Sequence, residues 1–193
     1  MPRLETLSND EMTAAQSEVS AEAIAGKRGR VPAPMIAWLR NPELARRAQR
    51  LGELLRYDTT LHPRLSELAV LVCGRHWTSH HEWTAHKRLA LDAGLNPQVI
   101  ADVAARRRPE TADDEERLVH DIALCLLSTG RIPRALYDQG IHRLGERGMV
   151  ELVAIIGYYC LVSVTLNAFE LGIPGSIATE LDDPDFSSPE AAR

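Results

Sequence analysis

Prolines and glycines cut this sequence into stretches of helix length, and between them apolar residues recur at helical spacing. Alternating apolar and polar residues, the mark of a half-buried strand, are absent. The pattern predicts an all-α fold of roughly eight helices. Ser8-Asn9-Asp10 reads as a cap for a first helix running to about Ala25. GKRGRVPAP, residues 26–34, is a loop. A helix follows Pro42 and runs to about Arg56. Pro63 opens the next, at the one helical position where a missing N–H costs nothing. Leu65, Leu68, Ala69, Leu71 and Val72 cover most of its circumference, which marks a core helix. Gly74 interrupts that run, and a polar stretch then continues helically to Ala93, stopped by Gly94. Further helices are predicted from Pro97 to about Arg106, over 113–129, from Pro133 to about Gly148, and from Val150 to Leu171 before Gly172 and Pro174. The expected organisation is an N-terminal helix and loop extension (1–30), a helical domain (31–177) and an acidic, loose tail (178–193).

With 193 residues, 45% of them apolar and 25% charged, the chain can bury a sizeable core. A net charge of −5 offers no general attraction to nucleic acid or an anionic membrane, and neither is expected as a partner. The one tight basic run, Arg106 to Arg108, leads into Asp113-Asp114-Glu115-Glu116 and reads as a solvated helix end. The start, MPRLETLSNDEM, has no apolar core of a signal peptide. The most apolar stretch, Leu152 to Leu166, is too short to span a bilayer and carries Tyr158, Tyr159, Ser163 and Thr165. Cys73, Cys125 and Cys160 sit far apart in apolar runs, which predicts buried free thiols in a reducing cytoplasm. A weak internal echo lays residues 66–72 on 150–156, pairing Glu67 with Glu151 and Ser79 with Ser163.

The chemistry concentrates in TSHHEWTAH, residues 78–86. As a metal site the spacing fails. His81 and His86 are five apart, about 140° around a helix, where the zinc-binding H-E-x-x-H places them four apart. His76 and His80 are four apart, but no third ligand is evident, so no metal is expected. Two readings stay open. Ser79-x-x-Glu82 fits a capping box, which explains a polar helix start without chemistry. Alternatively, Ser79, Glu82 and His86 form one helical stripe, with Glu82 and His86 able to hydrogen-bond. A carboxylate beside an imidazole raises its pKa and fixes its tautomer, as a proton shuttle requires. Glu67 adds a second carboxylate from a core-like helix: either it points outward in the first turn near Pro63, or it is buried and needs a partner such as His86 or His81. Trp77 and Trp83 would supply apolar walls.

At these residues the chain resembles the carboxymuconolactone decarboxylase family, with its AhpD-like fold. The resemblance rests on PRLSELAVLVCGRHWTSHHEWTAHKRLALDAGLNPQVI (63–100), VELVAIIGYYCLVSVTLNAFELGIP (150–174) and VPAPMIAWLRNPELA upstream. It implies an all-α fold assembled as a homotrimer or homohexamer, with sites near subunit contacts. The peroxidase branch of the family carries C-x-x-C-x-x-x-H with a glutamate upstream. Laid on this sequence, the cysteine positions are Ser79 and Glu82, the histidine is His86 and the glutamate Glu67. Both thiols are missing, and Cys73 stands alone in an apolar run, so thiol peroxidase activity is disfavoured.

The decarboxylase branch is similar to His81-Glu82-x-x-x-His86 as it stands. By that resemblance the expected activity is cofactor-free acid/base chemistry on a small carboxylated lactone or related carbonyl acid, by decarboxylation or proton transfer. Glu67, Glu82, His86 and His81 are the expected catalytic set. Arg75, or Arg88, would hold a carboxylate, and Trp77, Ser79, Trp83, Tyr158 and Asn167 would line the substrate site. The alternative is a non-catalytic small-molecule binder or structural oligomer of the same fold.

Overall fold

The computed structural model describes residues 2–111, 113–171 and 179–182. Among these the chain forms eight helices and no strand: α1 (Ala14–Ala25), α2 (Met35–Trp38), α3 (Pro42–Tyr57), α4 (Pro63–His76), α5 (His80–Asp92), α6 (Pro97–Ala104), α7 (Asp114–Thr129) and α8 (Arg134–Ala168). The all-α class is as expected. The acidic tail lies outside the described residues except for 179–182.

α4 is the hub, packed against α5, α6, α7 and α8. Its buried residues run unbroken from Leu68 to Arg75, so it is enclosed on all sides. Leu68 and Leu71 have no exposed surface, and burial of each contributes about 1.5–3 kcal/mol. Gly74 lies inside this helix, facing the start of α5 beside the Trp83 backbone. The chain reverses between α4 and α5 through Thr78, whose φ of 47° is left-handed. The Ser79 N–H donates to Gly74 O at 2.8 Å and closes the corner.

Several elements differ from expectation: α2 is not among the expected helices, and α4 runs through Gly74, which was expected to interrupt it, to His76. α1 starts at Ala14, not beside Ser8, because Thr13 and Gln16 form a reciprocal capping box. Ser8 and Glu11 make a separate local turn, with the Ser8 N–H donating to Glu11 Oε2 at 2.8 Å. The extension is not set apart from the rest: Val19 and Ala23 of α1 join the common core. The last two expected helices run on as α8, broken at Gly145 (φ 71°, ψ 170°), three residues earlier than the expected stop at Gly148. Only glycine adopts that backbone readily. By length and composition alone α8 could cross a membrane, with a window of mean hydropathy 2.0, but 56% of that window is buried inside the fold. A core helix meets the same test, and α4 and α7 cover this one.

Candidate active site

α4 and α5 bring together the three residues at the centre of the acid/base reading. His86 is 4% exposed. Its Nδ1 lies 2.6 Å from Glu67 Oε2 and its Nε2 lies 3.3 Å from Glu82 Oε2. Glu82 and His86 meet because they are one turn apart on α5. Glu67 meets them because α4 packs antiparallel against α5 across the tight corner at Thr78. Tyr159 of α8 packs against the imidazole nearly at a right angle, with ring centroids 4.9 Å apart. Tyr158 packs on Tyr159 in the same way, and Trp38 on Tyr158.

Burial alone would push the His86 imidazole down. Its hydrogen bonds to Glu67 and Glu82, and their charges, overcome this and raise it to about 9. His86 is therefore an imidazolium at neutral pH. Burial would raise the Glu82 carboxyl, but His86, then His81 and Arg28, hold it below its usual range. Burial raises the Tyr158 phenol; Arg28 opposes this and Glu82 reinforces it. Two carboxylates and one imidazolium leave the cluster with one net negative charge.

That charge faces a small cavity of about 60 Å³, lined by His81, Glu82, His86, Tyr158, Tyr159 and the arginines Arg28, Arg30, Arg56 and Arg88. It has room for about two waters. Arg28 and Arg30 come from the loop before α2, Arg56 from the end of α3 and Arg88 from α5. Among the described residues none of the four forms an ion pair with a carboxylate, whereas surface arginines such as Arg47, Arg108 and Arg134 do. Arg28 is directed at the Tyr158 hydroxyl, and its Nε is buried without a hydrogen-bond partner among the described residues. Gly52 makes this corner possible. A Cβ there would overlap the Tyr158 hydroxyl and lie 2.7 Å from Arg28 Nη2.

Of the sequence-predicted residues, Glu82, His86, His81, Arg88 and Tyr158 line the cavity, with Glu67 behind the ring. Arg75 points elsewhere: its Nε donates to Ala104 O at 2.7 Å, tying α4 to α6. Asn167 Nδ2 donates to Trp77 O at 2.7 Å, and Trp77 is 40% exposed; neither lines the cavity. Trp83 is buried in the core instead. Ser79 is the N-cap residue of α5 but makes no side-chain cap bond, and the Glu82 carboxylate turns to His86 rather than back to the Ser79 N–H. The capping-box reading is thereby corrected. Among the described residues the buried Ser79 hydroxyl has no hydrogen-bond partner, and neither has that of Ser163. Arg28, Arg30, Arg56 and Tyr159 were not singled out from sequence. The arginines carry no local signal, since each reaches the site from another element.

Larger hollows of about 400 Å³ exist, such as that beside Glu22, Arg50 and Glu53, but their charged groups are largely solvent-facing. Other buried acids are neutralised locally, Glu116 by Thr111 and Arg64 and Asp102 by Arg107. Among the described residues no group of three or more His, Cys, Asp or Glu side chains is arranged to hold a metal ion. The reason is visible at His86, whose two nitrogens engage carboxylates on opposite edges of the ring, leaving no point that all three could ligate. Cys73, which looked solitary in sequence, packs against the α8 turn that carries Cys160. No protein-family model matches the chain, and no curated protein matches it.

Proposed function

We propose that the chain is a carboxymuconolactone decarboxylase-like enzyme that carries out cofactor-free acid/base chemistry on a small carboxylated lactone or related carbonyl acid. The observation that carries this reading is a buried imidazolium between two carboxylates, facing a cavity ringed by arginines that form no ion pair with a carboxylate among the described residues. The arginines would hold an anionic substrate, and a guanidinium suits a carboxylate because it donates two parallel hydrogen bonds. Arg30 and Arg88 are exposed, so they can swing aside to admit a ligand larger than the empty cavity.

In decarboxylation the bond from carbon to the leaving carboxylate breaks. Its electron pair stays on carbon and spreads into the neighbouring carbonyl as an enolate. CO2 departs, and a proton then closes the carbon. The two contacts of His86 differ in a way that suits this step. The short one, to Glu67, fixes the ring and its charge. The longer one, to Glu82, leaves the Nε2 proton on the cavity side loosely held and able to transfer. Water returns a proton to His86, so the net change consumes one proton and releases CO2.

The resemblance also implies a homotrimer or homohexamer. A stripe of exposed apolar residues on α8, Val150 (69% exposed), Val153, Leu161 and Val164, supports self-association through that helix. The free thiols of Cys73, Cys125 and Cys160 suit a cytoplasmic setting.

The test is CO2 release from a panel of carboxylated lactones by wild type and His86→Gln. Release that falls at least 100-fold in the variant, at retained fold, is expected. Equal release by both proteins would overturn the role of His86. Ligand binding without any turnover would favour the non-catalytic binder of the same fold.

A further inference from the structure

Cys73 and Cys160, far apart in sequence, share one site between α4 and α8. Cys73 Sγ lies 3.7 Å from Ile156 O. In a helix that carbonyl accepts the N–H four residues on, which is that of Cys160. The Cys73 sulfur therefore sits against the turn that carries Cys160. The Cys73 thiol also hydrogen-bonds the Cys160 sulfur, so the two side chains meet, as a disulfide requires. Both thiols are free. Their access differs: Cys73 is fully buried and Cys160 half-buried. Contact with Cys160, then burial, pushes the Cys73 thiol well up, while the hydrogen bond from Cys73 holds Cys160 down to about 6. One sulfur is thus an accessible thiolate at neutral pH and the other its sheltered partner.

We propose that Cys73 and Cys160 form a reversible dithiol–disulfide site, oxidised by exchange with a small disulfide of the glutathione-disulfide class. The Cys160 thiolate attacks the small disulfide, forming a mixed disulfide and expelling one small thiolate. Cys73 then loses its proton and attacks Cys160 Sγ. The internal S–S bond forms and the second small thiolate leaves. Two electrons pass from the protein to the small disulfide, which becomes two thiols. The bridge fixes α8 at the residue next to Tyr159, whose ring packs against His86, so oxidation pins one wall of the cavity. Nothing in this step depends on the acid/base reading.

The test uses the full chain at neutral pH with millimolar glutathione disulfide, then alkylation, denaturation and peptide mass mapping. The expected product links the Cys73 and Cys160 peptides, leaves Cys125 alkylated and reverts with dithiothreitol. In Cys73→Ser, the glutathione adduct should remain on Cys160; in Cys160→Ser, Cys73 should stay unmodified. An adduct on Cys160 of the wild type with Cys73 still free would overturn the proposal. So would oxidation of Cys125 ahead of Cys160, or no reaction at all.

Discussion

Raising the pH should weaken the fold through His86, and by a calculable amount. The imidazole titrates at about 9 in the folded chain against an ordinary 6.5. A group raised on folding contributes fully below its unfolded pKa and loses that contribution as pH climbs through its folded pKa. A tenfold gain in proton affinity on folding is worth about 1.4 kcal/mol, so about 3 kcal/mol should be lost between pH 6.5 and pH 9. Because His86 is 4% exposed, solvent screening takes little from that loss. Glu82 works in the opposite sense: lowered on folding, it contributes above the usual carboxylate range and loses that as pH falls. The assay is urea unfolding, followed by the fluorescence of buried Trp38 and Trp83, at intervals from pH 6 to pH 9.5. Wild type should lose up to about 1.4 kcal/mol for each step of one in pH, relative to His86→Gln. Parallel curves for the two proteins would refute the reasoning. A His86 midpoint near 6.5 by NMR titration of the wild type would refute it independently, even if the variant fails to fold.

Glu67→Gln removes the carboxylate 2.6 Å from Nδ1, so the NMR midpoint of His86 should move down the pH scale by on the order of 1–2; an unchanged midpoint would mean that Glu82 alone sets it. Gly52→Ala places a methyl group where the Tyr158 hydroxyl sits and should cost about 1–3 kcal/mol by urea unfolding, whereas a change below about 0.5 kcal/mol would show that the corner is not tightly packed. Ser79→Ala should cost less than about 0.5 kcal/mol, because its hydroxyl has no hydrogen-bond partner among the described residues; a loss near 1 kcal/mol or more would restore the helix-cap role.

The local half of this site was legible in the sequence. Glu82 and His86 declare themselves through the period of one helix, and Glu67 through being an acid in a helix that must be enclosed. Ser79 misled, since its spacing to Glu82 satisfies two rules and only the third partner, His86, decides between them. The distant half was not legible. Arg28 and Arg30 lie in a stretch whose glycines and prolines announce a loop but not its destination. Arg75 looked like a ligand-binding cation, yet the carbonyl end of α6 lies within its reach. Cys73 and Cys160 each look inert in their own runs, and their pairing follows only from the packing of α4 on α8. Helix boundaries shifted where two signals competed, as at Gly145 against Gly148.

The unequal grip on the two edges of His86 has a stereochemical consequence. Glu67 holds the Nδ1 edge of the ring, Tyr159 packs against it, and the Nε2 edge turns toward Glu82, which lines the cavity. Any hydrogen that the imidazole places on a carbon atom must arrive from that one side. A product formed in heavy water would then carry its deuterium in a single configuration, and handedness at that carbon would be written by the direction in which one buried ring points.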